Sequence, residues 1–118
     1  APVVRRHRRY RLADRPMQLA TSYLPAELAR ATAIAEPDTG PGGIYARLAE
    51  QGRAPAHFTE EIRVRMPTPD ESEALNLNRG TPVLDVLRTA LTAEHVPVEF
   101  NEMTLDGSAY VLQYDFDA

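Results

Sequence analysis

The chain predicts an α+β domain built on an antiparallel sheet. Runs of β-branched and aliphatic residues come in pairs, over residues 3–24 and 81–105, each broken by a short polar connection as in a hairpin. Short helical stretches are segregated between these hairpins, which fits strands that return on themselves. With 118 residues and 43% of them hydrophobic, the chain suits one domain with one core.

Residues 3–13 lack helical periodicity and read as a strand, with Arg9 and Arg11 on one face and Tyr10 and Leu12 on the other. Asp14-Arg15-Pro16 is turn chemistry. Residues 17–24 then alternate: Met17, Leu19 and Tyr23 on one side, Gln18, Ala20 and Ser22 on the other. Pro25 opens a helix over residues 26–33, with Glu27 near its positive end. Residues 36–43 are loop, and a second helix spans 44–51 with Gly52 as its stop. Ile44 and Leu48 form its apolar face, with Tyr45 beside them.

Residues 57–66 form the third strand, ended by Pro67. Thr68 caps a helix to residue 77, with Asp70 and Glu71 in its first turn. Gly80 and Pro82 precede a strand that breaks at Ala93-Glu94-His95 and returns over 96–105. Asp106-Gly107 is a strong turn signal, and residues 110–116 read as a last strand. The order is β-β-α-α-β-α-β-β-β.

In the strand after Pro82, Leu84, Val86, Arg88, Ala90 and Thr92 share one face, while Val83, Asp85, Leu87, Thr89 and Leu91 share the other. Both faces are largely apolar, so the strand is expected to be central and covered on both sides. Arg88 then needs a partner, because a lone buried charge is costly. A turn centred on Glu94-His95 sets Glu99 opposite Ala90 and diagonal to Arg88, roughly 7–8 Å away between backbones. Glu99 is the expected partner, either as a structural ion pair or as a pair that also lines a ligand pocket.

Net charge is −4, the wrong balance for a stand-alone nucleic-acid binder. All 13 basic residues are arginine, and six of them fall in the first 15 residues against the single acid Asp14. That segment carries +5 and the rest of the chain −9. The stripe reads as arginines paired with acids such as Glu60, Glu61 or Glu99 rather than as a phosphate-tracking surface, since no recognition helix or aromatic interleaving accompanies it. There is no cysteine and no apolar run long enough to span a bilayer, which is compatible with a cytoplasmic protein without membrane contact.

No catalytic constellation assembles. His7, His57 and His95 are scattered without metal-ligand spacing, and the adjacent Glu60 and Glu61 point to opposite faces of a strand. Neither a metal nor a cofactor is expected. The strands do bring polar groups together: Arg9, Arg11, Gln18 and Ser22 from the first hairpin, Arg88 and Glu99 from the second. Tyr45 follows a Gly-Pro-Gly-Gly lead-in, which reads as a flexible connection or as an anion nest, and Tyr110 lies on the last strand. Arg9, Arg11, Ser22, Tyr45, Arg88, Glu99 and Tyr110 are the candidate contacts for a small polar, anionic ligand.

Arg-Tyr-Arg-Leu-Ala-Asp at 9–14 and Pro-Met-Gln-Leu-Ala-Thr-Ser-Tyr-Leu-Pro at 16–25 resemble the opening of the UTRA domain. This is the effector-binding module of HutC-type regulators in the GntR family of transcription factors. The likeness continues through Gly-Gly-Ile-Tyr-Ala-Arg-Leu at 42–48, Glu-Glu-Ile-Arg-Val-Arg-Met-Pro at 60–67, the stretch 74–89, Val-Pro-Val-Glu-Phe at 96–100 and Tyr-Val-Leu-Gln-Tyr-Asp-Phe at 110–116. No single motif is decisive; their joint spacing is specific.

The resemblance implies a chorismate-lyase-like α+β fold, a homodimer, and a small-molecule pocket between sheet and helices. It also implies a preceding winged helix-turn-helix domain as the sole contact with DNA. Residues 1–118 are thus expected to be one effector-binding and dimerisation domain without its DNA-binding partner domain. In sugar-phosphate-sensing relatives two first-strand arginines hold the phosphate, and Arg9 and Arg11 match them. Glu99 and Tyr45 match ligand-contacting positions, whereas Gly43 replaces a serine, Ala20 a glutamate and Leu105 a tyrosine. These departures argue against an amino-sugar phosphate and leave the anion open. The competing readings are a lyase of the chorismate type and a dimerisation module with a vestigial pocket.

Overall fold

The computed structural model describes residues 3–29 and 43–118. Its strands are β1 (Val3–Leu12), β2 (Arg15–Pro25), β3 (His57–Arg65), β4 (Val83–Leu91) and β5 (Pro97–Asp106). They form one sheet in the order β1-β2-β5-β4-β3, antiparallel at every junction. Helices α1 (Ala26–Ala29), α2 (Gly43–Glu50) and α3 (Pro69–Ala74) are short. The predicted antiparallel α+β class is the fold observed. The helix expected over 26–33 is described only as far as Ala29, and the loop 36–43 lies outside the described residues apart from Gly43, which opens α2.

The first hairpin turns on Ala13-Asp14, both at positive φ (48° and 64°), the two-residue geometry that follows the right-handed twist of paired strands. Pairing begins Leu12↔Arg15 and Arg11↔Pro16, then jumps to Tyr10↔Gln18. Met17 is therefore an extra residue, a β-bulge. Pro16 has no N–H for the ladder, so the slip falls where the ladder is already weak.

Gly52, at φ 71°, stops α2 as its sequence predicts, and the Arg53 N–H donates to Leu48 O at 2.9 Å. Thr68 caps α3 with a full capping box: the Glu71 N–H donates to Thr68 Oγ1 at 3.2 Å and the Thr68 N–H to Glu71 Oε1 at 2.9 Å. The helix ends at Ala74, three residues before the expected end, because Asn76 turns left-handed at φ 50°. The β4–β5 loop is Ala93-Glu94-His95, one residue longer than the expected turn, and Ala90 faces Glu99 as expected because a bulge at Val98 offsets the extra residue.

One face of the sheet carries two apolar clusters. Leu24, Ala90 and Val98 pack with Leu28 and Ala29 of α1 and Leu48 of α2. Ala20, Val86, Met103 and Leu105 pack under Tyr110 and Leu112. The other face is covered in part: Val83 is fully buried there, while Leu87, Thr89 and Leu91 are half-buried.

The expected last strand over 110–116 does not form. The Asp106 side chain is buried, where it accepts from the Ser108 N–H at 2.9 Å and hydroxyl at 2.6 Å, and from Arg15 at 3.0 Å. This anchored turn lays the following segment across the sheet face. Tyr110 and Leu112 are used as a roof, while Val111 (91%) and Phe116 (84%) stay exposed.

At the start of α3, Arg65 donates to Glu71 at 2.7 and 2.8 Å and also bonds Asp85. The Arg65 hydrogen bonds pull the Glu71 carboxyl down to about 2, against the burial that pushes it up. A depressed folded pKa contributes stability above the unfolded value and loses it as pH falls. Glu71→Gln should therefore cost on the order of 1–2 kcal/mol at neutral pH, and the difference from the parent should vanish between about pH 4.5 and pH 2. Urea unfolding of both proteins across that range measures it.

Candidate functional site

Between the two apolar clusters the sheet face carries a polar row. Strand register aligns Arg6 with Ser22, Ser22 with Asn101, Asn101 with Arg88, and Arg88 with Glu60, one residue from each strand. Residues paired across strands share a face, so these five side chains lie side by side. The rows above and below are mainly apolar, which makes this stripe the polar floor of a cleft.

A cavity of about 280 Å³ opens over the β1 end of the row. Arg6, Arg8 and Tyr10 line it from β1, Glu99 and Asn101 from β5, and Gly43, Ile44 and Tyr45 from α2. Arg8 donates to the fully buried Ser22 hydroxyl beneath. Among the described residues, Arg8 Nε and Asn101 Oδ1 are buried without a hydrogen-bond partner. Glu99 is 5% exposed, and its Oε1 accepts from the Tyr45 hydroxyl at 2.9 Å. The Gly43 start of α2 places Tyr45 one turn before Leu48, whose burial fixes the helix on the sheet.

Burial, and then the Glu99 charge, push the Tyr45 hydroxyl up to about 12. Its neutral form is thus favoured by folding: that stability is full below pH 10 and is lost as pH rises through 12. One of the five tyrosines should ionise about two pH units late in an alkaline absorbance titration, and Tyr45→Phe should remove that late step.

Beyond Tyr45 lies a second space of about 350 Å³, lined by Gln18, Val86, Met103, Leu105, Arg88 and the segment from Tyr110 to Tyr114. Here Arg88 donates to Glu60 at 2.7 Å, the Tyr114 hydroxyl donates to Glu60 at 2.8 Å, and the Tyr110 hydroxyl to Gln18 at 3.2 Å. Although burial works against both, the pairing holds the Glu60 carboxyl below its ordinary range and raises Arg88.

The structure thus brings Tyr45 and Glu99 together, sets Ser22 under them, and places Arg88 and Tyr110 in the adjoining space. It corrects three expectations. The partner of Arg88 is Glu60, directly opposite on β3, rather than the diagonal Glu99. Glu99 instead receives Tyr45.

Arg9 and Arg11 do not face the cleft; Arg6 and Arg8 do. An unbulged hairpin turning on Ala13-Asp14 would pair Arg9 with Gln18, on the cleft face. The bulge at Met17 pairs Tyr10 with Gln18 instead and turns Arg9 to the far side, opposite Leu19. Arg11 bonds Asp14 O at the turn. Pro16 was the signal that could have exposed the slip. Asn101 carried no signal of its own, and only the Ser22–Arg88 register reveals it.

An antiparallel sheet with a polar cleft walled by α2 and a roofing segment is an architecture suited to binding a small molecule. The chain belongs to the UTRA domain family, whose model matches residues 1–111. It is 34% identical over 119 residues to an uncharacterized HTH-type transcriptional regulator of Streptomyces coelicolor, covering 98% of this chain and 44% of that protein. It is 36% identical over 97 residues to an HTH-type transcriptional regulator of Mycobacterium tuberculosis, covering 78% and 35%. The chain therefore spans less than half the length of these curated relatives. The crystal structure of the effector domain of PhnF from Mycobacterium smegmatis superposes with a TM-score of 0.84 over 100% of this chain and 72% of that one. Its 22% identity makes that a likeness of fold.

Proposed function

We propose that this chain is the effector-binding domain of a GntR-family, HutC-type transcriptional repressor in the cytoplasm. The reading is supported by the UTRA family membership and by the regulators it resembles. The observation that carries the ligand is the cleft itself: Arg6, Arg8, the unpartnered Asn101 Oδ1 and the buried Glu99 converge on one cavity. Buried polar atoms without partners are costly, and a bound ligand that satisfies them recovers that cost. Two arginines at one end favour an anion.

The domain acts as half of a homodimer, and DNA is contacted only through a winged-helix domain preceding it. Effector binding shifts the population toward one dimer arrangement and so changes the spacing of the two DNA-binding heads. A thermal-shift screen of small acids, phosphorylated sugars and amino acids tests the ligand; no shift from any class removes the effector role. Light scattering on a sizing column tests the assembly, and a monomer at micromolar concentration overturns the dimer.

The lyase alternative has no support from the curated relatives, which are transcriptional regulators, and the carboxylates Glu60 and Glu99 stand on β3 and β5 with β4 between them.

A further inference from the structure

We infer that the effector is a small organic acid with an apolar body, its anionic head on the β1 arginines and its body lying along β2, β5 and β4. The inference rests on the effector-binding reading and names the ligand class of that site. It comes from the row beside the polar one. Register aligns Arg8 with Ala20, Ala20 with Met103, and Met103 with Val86. Beyond the arginine, each of these side chains is apolar and less than a tenth exposed. A ligand anchored on Arg8 and extended along this row enters the second space under Tyr110 and Leu112.

The polar side chains that the sheet presents to that space are already engaged, and only Gln113, exposed at its rim, is left over. Gln18 is held by Tyr110, and Glu60 by Arg88 and Tyr114. A sugar body would bring several hydroxyls against Val86, Met103, Leu105 and Leu112 and against polar groups already engaged, with Gln113 at the rim as the one free partner among the described residues. Hydroxyls away from that rim would lose water without replacement. A phenyl, indolyl or branched alkyl body loses nothing there and is removed from water. The same space is closed by a segment that contributes a tyrosine ring and a leucine, a roof suited to a flat or branched hydrocarbon.

The test is isothermal titration of the folded chain with 3-phenylpropionate and indole-3-acetate on one side, and glucosamine 6-phosphate and inorganic phosphate on the other. The expected result is saturable binding of an aryl acid at least tenfold tighter than either phosphate. Met103→Gln, close in shape but polar, should weaken the aryl acid about tenfold and leave phosphate unchanged, with circular dichroism confirming the fold. Val86→Thr, at a residue lining the same space and keeping the branched shape, serves the same purpose if that variant fails to fold. Tighter binding of glucosamine 6-phosphate than of both aryl acids overturns the apolar-body inference while sustaining the effector role. An aryl acid indifferent to both variants also overturns it. Silence from all four probes overturns the apolar-body inference, while the effector role stands or falls with the broader thermal-shift screen.

Discussion

Leu24→Ala should lower the unfolding free energy by about 2–5 kcal/mol, seen as a fall in the urea midpoint with an unchanged slope. Leu24 is fully buried on β2 and joins the cluster in which Leu28 and Ala29 of α1, Leu48 of α2, and Ala90 and Val98 of the sheet meet. It is the point where both helices are fastened to the strands. Its truncation leaves a cavity that two short helices and three strands can close only by moving together. Leu12→Ala, on a side chain 67% exposed near the hairpin turn, should change stability by less than about 0.5 kcal/mol. The contrast separates the cluster's contribution from loss of a leucine as such. Because Tyr45 rides on α2 beside this cluster, the same variant should also loosen the cleft wall.

Period and turn chemistry made most of the fold legible. The strand runs, the Thr68 cap and the Gly52 stop all follow from rules that act within a few residues. What was missed depends on contacts those rules do not reach. Residues 110–116 have a strand's alternation, and whether they pair at an edge or roof a face is decided by the burial of Asp106 with Arg15, ninety-one residues away in the chain. The partial cover of the far face of β4 has the same origin: an apolar strand face says that burial is favourable, not which element supplies it.

The site was legible where a helix start sets a side chain, as with Tyr45, or where two irregularities cancel, as with Glu99, whose place opposite Ala90 survives because the Val98 bulge offsets the longer loop. It was misread at the Met17 bulge, which nothing offsets. One extra residue in a strand inverts the face of everything beyond it, because the side-chain period is two. Arg88 shows the complementary limit: strand parity fixes its face but not which strand flanks β4 on its other side, and its partner Glu60 comes from β3 rather than β5.

The Met17 bulge sets up a direct experiment on neighbouring arginines. Arg8→Ala should weaken effector binding by about 10- to 100-fold, the loss of a charge-assisted contact of roughly 1.4–3 kcal/mol. Arg9→Ala should leave it within about twofold. Both variants remove one positive charge from the same strand, so the net charge and the general attraction for an anion change alike. They differ in which side of the sheet loses the guanidinium: Arg8 faces the cavity above Ser22, and Arg9 lies opposite Leu19 on the far face. Titration of both variants with whichever effector the screen identifies decides the matter. Equal losses would reduce the effect to bulk electrostatics, and a larger loss for Arg9 would restore the unbulged register. A loss confined to Arg8 would place the anion on the cleft face, where the unpartnered Asn101 and the buried Glu99 are within the same cavity.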